Sequence, residues 1–400
     1  MHMEKNPVLP DPAAGSAAYR NHARQWLRAN LPAHMRADSV DYRTPTLDEC
    51  RDWEASMYDA GLAGMTWPKA YGGLGLTLRE HLVVNKEVGA LAMPESVSSI
   101  GKELAGPIIQ TVGTEEQKQL FLPRILAIRD YWCQGFSEPD AGSDLARLRT
   151  KAVPEGDTWR INGQKIWTSG AAKAQYCLLL TRTGTVADKH RGMQMFAVPM
   201  NTPGIRVVPI KSIDGKDSFA EVFFDNVVVP DSARLGAPDE GWNAAIRVLS
   251  IERATNRMYR AWRFECELRQ LIAACKSDPQ LSQLLDDGHY QRRIGEVLGE
   301  IDALKGLVER TVDQMMSGKS IGARGSLTKL YWSECHQAFM GLALSIVSHV
   351  NPRSSALAQR ARKHFTTAYL YARAETIYAG TTEVQLDIIA QRIMNLPKDL

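Results

Sequence analysis

Between residues 131 and 236 the chain changes its hydrophobic period, and that change limits the folds open to it more than any other feature. Short runs rich in β-branched and aromatic residues follow one another there: TWRI, QYCLLLTRT, MQMFAVPM, IRVVPI and EVFFDNVVV. Gly, Pro and Asp clusters separate them, with no long helical stretch between, so an antiparallel β domain is expected rather than parallel βαβ units. On the N-terminal side the signals are helical. Thr46-x-x-Glu49, Thr77-x-x-Glu80 and Thr114-x-x-Gln117 are capping boxes, Gly61 closes the first segment, and WPKAYGGLG (67–75) is a glycine-rich loop. After GAPDEGW (236–242) helices resume, broken near Asp278–Gly288, Ser317–Gly325, Asn351–Ser354 and Tyr378–Thr381, and their short connections suggest a bundle. The expected fold class is α+β. A loose tail (1–15) precedes an N-terminal helical domain (16–130), a central antiparallel β domain (131–236) and a C-terminal helical bundle (237–400).

Composition removes several function classes. Lys and Arg number 48 against 45 Asp and Glu, a net charge of +3 over 400 residues, which gives no electrostatic case for nucleic acid or an anionic membrane surface. The longest apolar run, near Phe339–Val347, is half of the roughly 18 residues that a membrane span needs. The start, MHMEKNPVLPDPAAGS, lacks the apolar core of a secretory signal, so a cytoplasmic protein is expected. Six cysteines form no CxxC pair and no metal-type cluster; they read as reduced thiols filling the core, and no metal is expected. Neither GxGxxG nor a Walker loop occurs, which argues against Rossmann and P-loop nucleotide binding.

Two segments carry chemistry. QGFSEPDAGSDLA (134–146) places Gly142 and Ser143 in a turn that lets a ligand approach the backbone, or simply makes a capped β-turn. INGQKIWTSGA (161–171) offers Trp167, whose flat face either packs on a ring ligand or fills a core. Lys165 and Lys173 read as solvated strand-end charges, and KHRG (189–192) as a solvated hairpin tip. Together the two segments resemble the acyl-CoA dehydrogenase family. TEEQKQLFLPRIL, FFDNVVVP with its following LGAPDEGW, and YAGTTEVQ extend the resemblance over about 16–397. It implies non-covalent FAD and an acyl-CoA substrate desaturated between Cα and Cβ. It also implies an electron-transfer flavoprotein as acceptor, and an oligomer, dimer or tetramer, that completes the FAD site across subunits. By match to the motifs, Gln134, Phe136 and Ser137 would line the flavin, with Gly142, Ser143, Trp167, Ser169, Thr381 and Glu383 also touching the cofactor. Ser143 would in addition meet the thioester tail.

The chain departs from the family pattern at its base. Many members carry the catalytic Glu where Ala379 stands, although the Ala379 N–H keeps the donor that polarises the thioester carbonyl. In GWNAAIRVLSIERATNRMYRAW, Glu252 shares a mostly apolar helix face with Trp242, Ala245 and Leu249, a setting that raises a carboxyl pKa toward that of a general base. LSIER (249–253) also resembles the members whose base sits on this helix. Glu252 is therefore the expected base, supported by Arg253, with Glu375 and Glu383 as rivals. Leu249, Ser250, Arg253, Tyr378 and Gly380 would contact substrate. The Arg motif that meets the FAD diphosphate is not recognisable between 266 and 293, where Arg292 or Arg293 would have to substitute. SIVSHVN (345–351) replaces the segment contacting the adenosine half. Such losses resemble branches acting on bulky acyl chains, some built from two different subunits. Two other functions stay open at this point: a non-catalytic partner subunit of a hetero-oligomer, and a flavin monooxygenase or oxidase on the same fold.

Overall fold

Thr77 and Thr114 start their helices as expected. The Thr77 hydroxyl accepts from Arg79 N (3.1 Å) while Glu80 Oε2 accepts from Thr77 N (3.0 Å), and Thr114 and Gln117 exchange the same pair of bonds at 3.3 and 2.9 Å. The computed structural model describes residues 9–10, 15–36, 39, 41–246, 258–319 and 321–397. In chain order its helices are α1 (Gly15–Asn30), α2 (Leu47–Asp59), α3 (Leu78–Ala90), α4 (Gly106–Val112), α5 (Glu115–Leu126), α6 (helical over 241–246), α7 (Arg260–Lys276), α8 (Pro279–Asp286), α9 (Gly288–Met316), α10 (Gly325–Val347), α11 (Ala356–Ala372) and α12 (Thr382–Arg392). The strands are β1 (Trp132–Gly135), β2 (Lys151–Glu155), β3 (Thr158–Lys165), β4 (Tyr176–Arg182), β5 (Met193–Pro199), β6 (Ile205–Ile210), β7 (Phe219–Pro230) and β8 (Arg234–Leu235). Helical regions thus flank a central, mostly antiparallel sheet. Among the described residues no helix is long and apolar enough to cross a membrane.

The chain gathers into two compact units: residues 1–46, 76–95 and 253–400 form one, and 47–75 with 96–252 form the other. The first is helical. Phe264, Leu268 and Leu271 of α7, Ile301 and Leu304 of α9, Phe339, Met340 and Ile346 of α10 and Phe365 of α11 are buried together in its core. On α7 and α9 these residues recur every three or four positions, so each of those helices buries one stripe. Gly89 lets α3 approach the start of α7, for a Cβ there would lie 2.3 Å from the Tyr259 carbonyl oxygen.

The second unit holds the sheet, ordered β6-β7-β3-β2-β4-β5-β8. Alternation sorts the central strands onto two cores. Leu178 and Leu180 of β4 meet Phe121, Leu122 and Ile125 of α5 on one face, while Cys177 and Leu179 meet Phe196, Val222 and Val229 on the other. Burial on both faces explains why QYCLLLTRT reads as a continuous apolar run. The antiparallel expectation needs one correction. β1 pairs in parallel with β4, from Trp132 against Tyr176 to Gly135 against Leu179, and β2 touches β4 in parallel at Lys151 and Arg182. The β2–β3 hairpin separates β1 from β4 in sequence and supplies a connection long enough for parallel entry. Arg182, buried at the end of β4, donates to the carbonyls of Ala146, Leu148, Thr185, Lys189 and Arg191, fixing two loops that have no ladder of their own.

Candidate functional site

The two motif segments meet within the sheet unit. β1 delivers Gln134, half-buried, and then Phe136, whose ring is buried in the core shared with α5. Glu138 and Ala141 close a tight turn by exchanging N–H···O=C bonds of 3.0 Å each, with Pro139 and Asp140 at its tip. Gly142 and Ser143 follow it and are exposed. Lys165 ends β3. Its expected solvation is wrong: the side chain is 0% exposed, and its ammonium donates to Glu138 Oε1 (2.8 Å) and the Phe136 carbonyl (2.9 Å). A terminal strand position lies buried here because the 136–138 loop folds over it. Glu138 also accepts from the amides of Arg149 (2.6 Å) and Thr150 (2.9 Å), so one buried carboxylate ties together the turn, the strand end and the chain leaving the loop. Burial alone would raise the Glu138 pKa, but Lys165 and these amides outweigh it and hold the group below the ordinary carboxylate range.

Past Lys165 the chain stays pinned. Ile166 N donates to Ser137 O (2.9 Å), and Thr168 exchanges backbone bonds with Ala220 at 3.0 and 3.1 Å. Trp167, caught between these anchors, takes a φ of 60°, and its ring stands 58% exposed with an edge contact to the ring of Phe219 at 6.1 Å. Trp167 is therefore not a core tryptophan. An exposed indole in a left-handed conformation is a strained arrangement that bare packing does not require. Beside it the Thr168 hydroxyl is buried with no hydrogen-bond partner among the described residues, and Ser169 is half-exposed. The hairpin tip over Lys189–Gly192 matches its solvated reading for Lys189, His190 and Arg191, although His190 stacks on Trp242 with ring centroids 4.4 Å apart.

The helical unit carries the terminal loop. α11 ends at Ala372, and Glu375 then turns inward, 2% exposed, accepting from His336 Nδ1 at 2.6 Å. Glu375 is thus committed to a buried partner rather than presented as a base. Tyr378 follows half-buried, Ala379 exposed with a φ of 56°, and Gly380 with a φ of 92°. Gln385 reaches back to donate to the carbonyls of Ala379 (2.9 Å) and Gly380 (3.3 Å). Among the described residues nothing accepts from the Ala379 N–H, so the loop holds a backbone donor free at its tip. Thr381 caps α12: it is extended and its hydroxyl accepts from Val384 N at 3.2 Å, while Gln385 is occupied with the loop. Glu383 is exposed in the first turn of α12, and hydrogen bonds from its own amide and the Thr381 hydroxyl lower its pKa.

The loop's geometry yields a direct test. A Cβ on Gly380 would lie 2.2 Å from Gln385 Nε2 in a backbone conformation that L-residues avoid. Gly380→Ala should therefore destabilise the helical unit by about 1–3 kcal/mol. An unchanged denaturant midpoint would show that the loop tolerates the side chain.

Glu252, Arg253, Leu249 and Ser250 lie outside the described residues. The Glu138–Lys165 pair was missed in the sequence, although both residues stand inside the segments that carry the resemblance. A lysine beside Ile166 and Trp167, closing a strand with a buried face, was the available signal.

Comparison with known proteins places these features in context. Three models match in chain order: acyl-CoA dehydrogenase, N-terminal domain, over residues 15–129, middle domain over 133–227, and C-terminal domain over 239–394. The chain is 32% identical over 387 residues to acyl-CoA dehydrogenase IpdE1 of Mycobacterium tuberculosis, covering 95% of this chain and 98% of that one. Among solved structures it is similar to the Tcur3481-Tcur3483 steroid ACAD, with 27% identity, a TM-score of 0.83, and coverage of 98% of this chain and 100% of that one. It is likewise similar to a chain of the ChsE4-ChsE5 complex from Mycobacterium tuberculosis, with 28% identity, a TM-score of 0.81, and coverage of 98% and 99%.

Proposed function

Because this chain belongs to the acyl-CoA dehydrogenase family, we propose that it uses FAD to desaturate an acyl-CoA thioester between Cα and Cβ. The observation that carries the cofactor assignment is Trp167, a large exposed ring held in a left-handed turn by backbone bonds on either side. A flat heteroaromatic group fits that face, and the unpartnered Thr168 hydroxyl with half-exposed Ser169 supplies polar groups suited to its carbonyl and ring-nitrogen edge. FAD, when bound, would supply the two-electron acceptor for the hydrogen leaving Cβ.

The chain's own residues do the rest. Gln134, Ser137, Gly142, Ser143, Trp167 and Ser169 would hold the flavin, and Thr381 and Glu383 would add contacts to the cofactor. The ring of Phe136 is committed to the core, so that position would contribute through its backbone. The Ala379 N–H would donate to the thioester carbonyl oxygen, drawing charge from Cα and making its proton easier to remove. Glu252 would take that proton, supported by Arg253. Tyr378 and Gly380, with Leu249 and Ser250, would flank the acyl group. An electron-transfer flavoprotein would carry electrons away. The chain would act as an oligomer, either with copies of itself or with a second dehydrogenase-like subunit. The two-component names of the similar steroid ACAD and ChsE4-ChsE5 structures support the second arrangement.

The purified chain should show a flavin spectrum that bleaches under argon with an acyl-CoA substrate. Trp167→Ala should leave stability nearly unchanged, since the ring is exposed, yet weaken flavin retention by roughly 10–100-fold through loss of a stacking face worth about 1–3 kcal/mol. Colourless protein that takes up no FAD would overturn the reading in favour of a non-catalytic subunit. Rapid reoxidation of reduced flavin by air would favour the oxidase alternative.

A further inference from the structure

Arg260 opens α7 and is 6% exposed, with its guanidinium carbon 4.1 Å from the centroid of the Trp332 ring. Trp332 in turn lies 6.3 Å from the ring of Tyr378, the residue before the free Ala379 N–H. A buried arginine ordinarily places its five donors on acceptors. Arg182 does so with five carbonyls. Arg263, three positions after Arg260, donates to Glu267 (2.9 Å), the Met93 carbonyl (3.0 Å) and Glu95 (3.2 Å). Arg260 donates to nothing among the described residues. The acids that act on it through space are already bonded elsewhere: Glu95 accepts from the Tyr259 hydroxyl at 2.6 Å and from Arg263, and Glu375 accepts from His336. Its charge is thus compensated while its hydrogen-bonding capacity is unfilled. These donors are therefore left for water or a ligand, and stacking on Trp332 alone does not require them, since an apolar residue would stack there as well.

We propose that Arg260 is a specificity-determining residue that donates hydrogen bonds to an oxygen on the acyl group, remote from the thioester, in the form of a ketone or a second carboxylate. The proposal rests on the reading of this chain as an acyl-CoA dehydrogenase, and deepens it by naming the substrate class. Stacking on Trp332 holds the guanidinium plane in one orientation, so the recognition would be directional as well as electrostatic. A purely aliphatic acyl chain would leave those donors unpaired on binding and would be rejected for that reason.

The test uses the chain as it purifies, with any subunit that accompanies it, and three CoA thioesters of matched size: one aliphatic, its keto analogue, and its ω-carboxy analogue. Wild-type kcat/KM for anaerobic flavin reduction should favour one oxygen-bearing thioester over the aliphatic one by about 10²–10⁴-fold. Whichever analogue wins identifies the source of the oxygen. Arg260→Met should abolish that preference by lowering kcat/KM for the favoured oxygen-bearing thioester and raising it for the aliphatic one, whose rejection it removes, and Arg260→Lys should restore part of the preference; the lysine variant is the readout if the methionine variant does not fold. An aliphatic preference in the wild type, or an equal loss on all three thioesters, overturns the proposal. If no thioester reduces the flavin, the dehydrogenase reading itself fails. Equilibrium dialysis of the same three thioesters then decides the Arg260 assignment: a preference lost in the methionine variant supports it, and equal affinities overturn it.

Discussion

Replacing Lys165 with methionine should unfold the sheet unit at a denaturant midpoint corresponding to about 3–5 kcal/mol less stability, with loss of bound flavin. The ammonium is wholly buried and bridges Glu138 and the Phe136 carbonyl. Methionine fills the same volume but leaves a carboxylate in the interior without its counter-ion, and that uncompensated charge dominates the loss. Glu138→Leu with Lys165→Met removes both charges and should recover part of the stability, though the Arg149 and Thr150 amides would then lack their acceptor. The pair also sets an acid limit. Glu138 has a lowered pKa in the folded chain, so its contribution is complete above the unfolded carboxyl value of about 4.3 and is lost as pH falls through the folded value below it. Urea titrations of the single and double variants check this; a Lys165→Met loss below about 1 kcal/mol would mean that the pair is dispensable.

Glu252→Gln should keep the flavin and still bind acyl-CoA while slowing anaerobic flavin reduction by about 10²–10⁴-fold. The substitution preserves shape and removes only the proton acceptor. The terminal loop offers no base in its place, for Ala379 carries no carboxylate and Glu375 is buried against His336. Stopped-flow bleaching under argon gives the rate directly. A wild-type rate in this variant would move the base to Glu383 or to another subunit.

Much of the architecture can be read from local pattern because its signals are local. Thr77 and Thr114 each find their capping partner three residues away, and the alternation in TWRI and EVFFDNVVV sorts side chains onto two faces within a single strand. The errors fall where the deciding contact is distant. Thr381 and Thr382 stand side by side in sequence, and Thr381 caps α12 while Gln385 folds back on the carbonyls of Ala379 and Gly380. Lys165 looks like any strand-end lysine until a carboxylate 27 positions earlier is brought against it. The parallel entry of β1 depends on Tyr176–Leu179, more than 40 positions on, which no periodicity within β1 announces. Trp167 carries both readings in sequence, and only the bonds of Ile166 and Thr168 decide that the ring stands outside.

The left-handed backbone at Ala379 has a consequence in genetic terms. The conformation disfavours alanine and glutamate alike, neither being β-branched nor able to bond its own backbone as Asn or Asp does, and the exposed Cβ leaves room for a longer side chain, so the main chain discriminates little between the two at this position. Alanine codons lie a single base change from glycine, and two of the four lie a single base change from glutamate. A lineage carrying this loop therefore stands one point mutation from acquiring a carboxylate there, and one reversion from losing it. Position 379 is a place where descendants can exchange side-chain chemistry without redesigning the turn that presents it.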